Sequence, residues 1–161
     1  MTHPELAELL RAVYADKAAL RHRHELAARS IRQYDWNNTY QYIIAREDVH
    51  LTWLRDAIVA EGASLPESAP APAAKPSRPA DQHDIVRADC AAQAAFVGRW
   101  SDLIEKVTHA RHRLMLKLLV GESREQLRFL EQAAAGRIDL LGRRTAPSPA
   151  IGGVLGARWV E

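Results

Sequence analysis

Ala63-Ser64-Leu65-Pro66-Glu67-Ser68-Ala69-Pro70-Ala71-Pro72-Ala73-Ala74-Lys75-Pro76-Ser77-Arg78-Pro79-Ala80 holds five of the chain's eight prolines. A Pro/Ala run of this kind is extended and forms no core of its own. The other prolines are Pro4, Pro147 and Pro149, so residues 5–65 and 80–146 are free of proline. Interior proline breaks helices, and each free block therefore has room for long ones. The run between them is long enough to travel back along a bundle instead of making a tight turn.

Working outward, the first block divides into two helices. Leu6, Leu9, Leu10, Val13, Lys17 and Leu20 recur at helical spacing and predict a helix over residues 4–32, with Thr2 as N-cap and Pro4 in the first turn. Gln33-Tyr34-Asp35 reads as the turn, with Asp35 capping a second helix over 36–61 that Gly62 ends. Its inward stripe is Tyr40, Ile43, Ile44, Glu47, His50 or Leu51, Leu54 and Ile58. The second block repeats the plan, with helices over 81–107 and 110–135, the latter closed by Gly136. At an offset of 75 residues Glu47 falls on Glu122, His50 on Glu125, Ile43 on Leu118 and Leu54 on Phe129. The expected fold is all-α: an antiparallel four-helix bundle over residues 1–136, made of two hairpins joined by the 63–80 crossover. Residues 137–161, rich in glycine and proline, form a non-helical tail.

Glu47 and His50 stand three apart in Arg46-Glu47-Asp48-Val49-His50-Leu51-Thr52-Trp53-Leu54, so both project from one helix face, in line with the apolar stripe. Buried, they must be paired or ligated, because an isolated charge in a core is costly. Glu-x-x-His inside a helical bundle is a recurrent way to hold iron or manganese.

On these residues the chain resembles the ferritin-like superfamily, near rubrerythrin-type bacterial domains. Residues 45–58, followed by Glu61-Gly62-Ala63-Ser64-Leu65-Pro66, are similar to the family's second helix and its exit. Residues 119–130 (Leu-Val-Gly-Glu-Ser-Arg-Glu-Gln-Leu-Arg-Phe-Leu) look like its fourth. The resemblance implies a dinuclear centre with one Glu from each of the first and third helices and Glu-x-x-His from the second and fourth. Carried over, it makes Glu47, His50, Glu122 and Glu125 the ligands of one or two iron or manganese ions, for oxygen, peroxide or iron chemistry.

The chain departs from that pattern. Position 125 is Glu, not His. With the first turn near Gln33 and a rise of about 1.5 Å per residue, Glu47 faces roughly residues 16–22. Asp16, Lys17 and Arg21 lie there, but no glutamate; Glu25 would sit roughly 9 Å too low. By the same reasoning Glu122 faces roughly residues 91–97, which offer Gln93, with Asp89 just outside. Asp16 and Asp89 are the nearest carboxylates for the missing positions. Lys17 places an ammonium where a metal would sit, and a lysine among carboxylates neutralises them without an ion. Two functions follow: a metal-binding oxidoreductase, or a metal-free degenerate bundle acting as a structural or interaction module.

His109 and His112 share the i, i+3 spacing but fall beside a turn, among Arg111 and Arg113, and read as a solvent-facing helix start. Trp36, Trp53 and Trp100 read as core or subunit-interface residues. The end of the chain, residues 150–161, is apolar and glycine-punctuated, as suits a segment that docks on a partner or on the chain's own homodimer mate. It is loosely similar to the tags that load ferritin-like proteins into encapsulin shells.

Composition narrows the field. Twenty-two Lys and Arg nearly balance twenty Asp and Glu, a net charge of +2, so no nucleic-acid or membrane surface is expected. Cys90 is the single cysteine, which removes an internal disulfide, a Cys-rich metal site and any rubredoxin-like electron carrier. The first residues lack the charged-then-apolar order of a signal peptide, and the expected location is cytoplasmic.

Overall fold

The computed structural model describes residues 2–66 and 81–141. Most of the crossover and the expected docking segment, residues 150–161, lie outside them. The described residues form four helices and no strand: α1 (His3–Ser30), α2 (Tyr34–Ala60), α3 (Gln82–Glu105) and α4 (Ala110–Ala134).

Local chemistry sets the helix ends. Thr2 caps α1 in a reciprocal box, its hydroxyl accepting from the Glu5 amide while Glu5 accepts from the Thr2 amide at 2.6 Å. The expectation for α2 is corrected: Gln33, not Asp35, is the N-cap, its Oε1 accepting from the Trp36 amide at 2.6 Å. Only residues 31–33 connect α1 to α2, so the helix begins before Asp35, which falls in its first turn. Gly62 and Gly136, just past α2 and α4, end these helices in the left-handed region, at φ 68° and 86°.

α1 pairs along its length with α2, and α3 with α4; α1 also packs on α3, and α2 on α4. Between α1 and α2 the contacts run from His3–Glu61 through Lys17–Glu47 to Ala28–Asn37 beside the connection. The core has two apolar halves. Leu10, Val13, Leu54, Ile58, Trp100 and Leu116 belong to one; Ile31, Trp36, Tyr40, Ile43, Val86 and Leu130 belong to the other. Between them lies a belt of buried polar side chains.

The packed unit extends past residue 136. Trp36 Nε1 donates to the Arg137 carbonyl at 2.7 Å, and Leu140 is buried in the second apolar half. Among the described residues no helix is long and apolar enough to cross a membrane.

Candidate functional site

The buried positions show how the α1–α2 pair corresponds to the α3–α4 pair. On α2 the inward line is Trp36, Tyr40, Ile43, Glu47, His50, Leu54 and Ala57; on α4 it is His112, Leu116, Leu119, Ser123, Gln126, Leu130 and Ala133. Each α4 residue stands 76 places after its α2 counterpart, not 75. α1 obeys the same offset against α3: Lys17 maps to Gln93, Leu20 to Phe96 and His24 to Trp100, all buried. One residue is about 100° of rotation on a helix. The central inward positions of α4 are therefore Ser123 and Gln126, whereas Glu122 sits at the edge and Glu125 is exposed. The six equivalent central residues are Lys17 and Gln93, Glu47 and Ser123, His50 and Gln126; every one is buried.

Lys17 is the hub of this belt. Its Nζ lies 3.0 Å from Glu47 Oε1, 3.2 Å from Ser123 Oγ and 3.5 Å from Gln126 Oε1, and 4.9 Å from the centre of the Phe96 ring. Ser123 spends its hydroxyl proton on the Leu119 carbonyl at 2.8 Å, and Gln126 Oε1 also accepts from Gln93 Nε2 at 3.1 Å. All three neighbours of Nζ are thus acceptors, which calls for three N–H bonds and hence a charged ammonium. Burial pulls the lysine pKa below its ordinary value, opposed by the Glu47 charge and hydrogen bond.

Glu47 is held from both sides. Its Oε2 accepts from His24 Nδ1 at 2.9 Å and its Oε1 from Lys17. Burial alone would raise its pKa, but the His24 contact and the Lys17 ammonium bring it below the usual carboxylate value. His50 Nε2 donates to Glu122 Oε2 at 2.9 Å, and Arg46 binds both oxygens of the same carboxylate at 2.7 Å. Burial, with the Lys17 charge, pushes His50 down to about 4, so the ring is neutral at pH 7. Nε2 carries the proton, since a carboxylate only accepts, and this leaves Nδ1 as a lone pair. His50 Nδ1 and His24 Nε2 are buried and meet no hydrogen-bond partner among the described residues.

The two weaker carboxylates point elsewhere. Asp16 accepts from Trp100 Nε1 at 3.0 Å and from Arg99 at 2.8 Å. Asp89 is buried, accepting from the Tyr40 hydroxyl at 2.8 Å and paired with Arg23. The structure therefore brings Glu47, His50 and Glu122 into one region, places Asp16 and Asp89 in pairs of their own, and leaves Glu125 at the surface. It adds His24, Ser123 and Gln126, which the spacing of the sequence did not single out. The signal for the last two was available: Leu116, Leu119 and Leu130 share their helical face.

The expectation of a solvent-facing helix start holds for His109, which is exposed, and is corrected for His112. His112 is buried, and its Nε2 lies 2.8 Å from Glu61 Oε1 at the end of α2, because α4 begins against the C-terminus of that helix. Comparison with protein-family models, curated proteins and solved structures returns no match.

Proposed function

We propose that this chain is a ferritin-like antiparallel bundle whose dinuclear position has become a lysine-centred hydrogen-bond belt, and that it works as a structural or interaction module. One observation carries the reading: the six inward residues at the belt. The family pattern asks there for Glu, Glu-x-x-His, Glu and Glu-x-x-His along the four helices. This chain has Lys17, Glu47-x-x-His50, Gln93 and Ser123-x-x-Gln126. Three of the four carboxylates and one of the two imidazoles are replaced, and the remaining carboxylate already accepts from an ammonium. This donor set does not suit two hard metal ions, which need several free carboxylate oxygens.

A module reading also has surface support. Leu114 and Leu118, one turn apart on α4, are 72% and 52% exposed, a suitable face for a second chain. Homodimerisation through this face, with residues 150–161 reaching a partner, is the assembly we propose.

The oxidoreductase reading keeps one observation in its favour. His50 Nδ1 and His24 Nε2 are buried with no hydrogen-bond partner among the described residues, and His24 holds Glu47 through its other ring nitrogen. Loading the protein with Fe(II) or Mn(II), desalting and measuring metal decides between the two. The module reading expects no iron or manganese whose retention depends on Glu47. One or two ions per chain, lost in Glu47→Ala and in His50→Ala, would overturn it.

A further inference from the structure

We propose a structural zinc site at the end of the bundle remote from the 31–33 connection, on Glu61, His109 and His112, with His3 as the fourth ligand. It is independent of the central belt and shares no residue with it.

The four residues come from three chain ends that the packing gathers. His3 opens α1, Glu61 caps the end of α2, His109 caps α4 and His112 stands in its first turn. Glu61, His109 and His112 each offer a ligand atom, and these atoms lie within 4.8 Å of one another. His3 Nδ1 lies 2.5 Å from Glu61 Oε2, while His112 Nε2 holds the other oxygen at 2.8 Å. The His109 and His112 rings stack with centroids 4.4 Å apart.

Three imidazoles around one carboxylate exceed what an ion pair needs. Glu61 has two oxygens, and His3 and His112 already take one each; His109 has no part in that pairing. Its bond to the site is the α4 cap, where Nδ1 accepts from the His112 amide at 3.4 Å, a long contact that costs little to give up. Ligand atoms about 2.0–2.2 Å from a tetrahedral zinc stand roughly 3.3 Å apart, so modest side-chain rotations bring Glu61, His109 and His112 from their present spacing to that of a bound ion, and His3 joins them from its contact with Glu61.

The donor types select the metal. Neutral imidazole nitrogens with one carboxylate oxygen suit zinc and its borderline neighbours; calcium and magnesium want oxygen. Helix dipoles do not decide the matter, since one C-terminus and two N-termini meet here. Four protein ligands close the coordination sphere, which makes the site structural instead of catalytic. Its effect is to clamp α4 of the second hairpin to both helices of the first, at the end where the chain leaves α2 for the crossover.

The test uses the full chain, stripped with EDTA and titrated with Zn(II). The expected result is one zinc per chain retained through desalting. With zinc at about 100-fold over its dissociation constant, Tm rises by roughly 5–10 °C, and EDTA reverses the rise. Co(II) used as a probe gives the intense visible bands of a tetrahedral site. His109→Ala, at an exposed position, and Glu61→Gln each weaken zinc at least 10-fold and abolish the Tm rise, whereas Glu47→Gln leaves both unchanged. His112→Ala removes a buried ring, so circular dichroism accompanies it, and His109→Ala decides the matter if that variant unfolds. Absence of zinc binding, or binding equally strong in His109→Ala and Glu61→Gln, would overturn the proposal.

Discussion

At the scale of single residues, Lys17 explains the belt. Removing an ammonium from water costs several kcal/mol, and only good geometry with further hydrogen bonds compensates. Here three acceptors and an aromatic face supply that geometry. Lys17→Met would strand Glu47 in the core with His24 as its remaining partner. We expect a loss of about 3–5 kcal/mol in urea denaturation, much of it recovered in Lys17→Met/Glu47→Leu, since replacing both ions by apolar groups is often neutral. A double variant no more stable than the single one would show that the pair is not what Lys17 contributes.

At the scale of elements, the register of α4 decides what the belt can do. A slip of one residue exchanges Ser123 and Gln126 for Glu122 and Glu125, a polar neutral pair for two carboxylates. The 76-residue correspondence makes a constructive prediction. On the ferritin-like reading proposed above, Lys17→Glu/Gln93→Glu/Ser123→Glu/Gln126→His supplies a carboxylate–histidine ligand set at the belt and should retain one or two Fe(II) or Mn(II) ions, with an apo form much less stable than the parent. Glu125→His alone, built on the 75-residue register, should retain none. Retention in the second variant and not the first would refute the correspondence. Helix ends matter more locally: Gly136 sits at φ 86° with open space around its missing Cβ. Gly136→Ala should therefore cost about 1 kcal/mol through backbone strain alone, read as a lower Tm.

At the scale of the whole molecule, the belt ties stability to pH. His50 titrates near 4 when folded and near 6.5 when unfolded, so the unfolded chain binds the extra proton first. Its contribution is fully present above pH 6.5 and is lost as pH falls from there toward 4, on the order of 3 kcal/mol in all. The carboxylates act lower. Glu47 and Glu122 have depressed folded pKa values, so their contribution is present above about 4.5 and disappears as pH falls through the folded values. Urea midpoints between pH 7 and 4.5 should drop for the parent and much less for His50→Leu. An equal drop in both would assign the acid sensitivity to other groups.

Much of this protein was legible in its sequence. Proline placement and apolar periodicity determined four helices in two blocks, because proline breaks helices whatever surrounds it and because an amphipathic stripe must find a core. Equal distances to a turn also narrowed what faces Glu47 to residues 16–22, Lys17 among them, and what faces Glu122 to residues 91–97, Gln93 among them; the structure selected Lys17 and Gln93. Only the tertiary structure decided which side chains of α4 point inward. Leu116, Leu119 and Leu130 mark one face and Leu118 and Phe129 another about 100° away, so the apolar pattern points to both and packing selects the first. Packing alone also brought His24 onto Glu47 and gathered His3, Glu61, His109 and His112 at one end. Those contacts join residues 23 to 58 apart in the chain, and no local spacing records them.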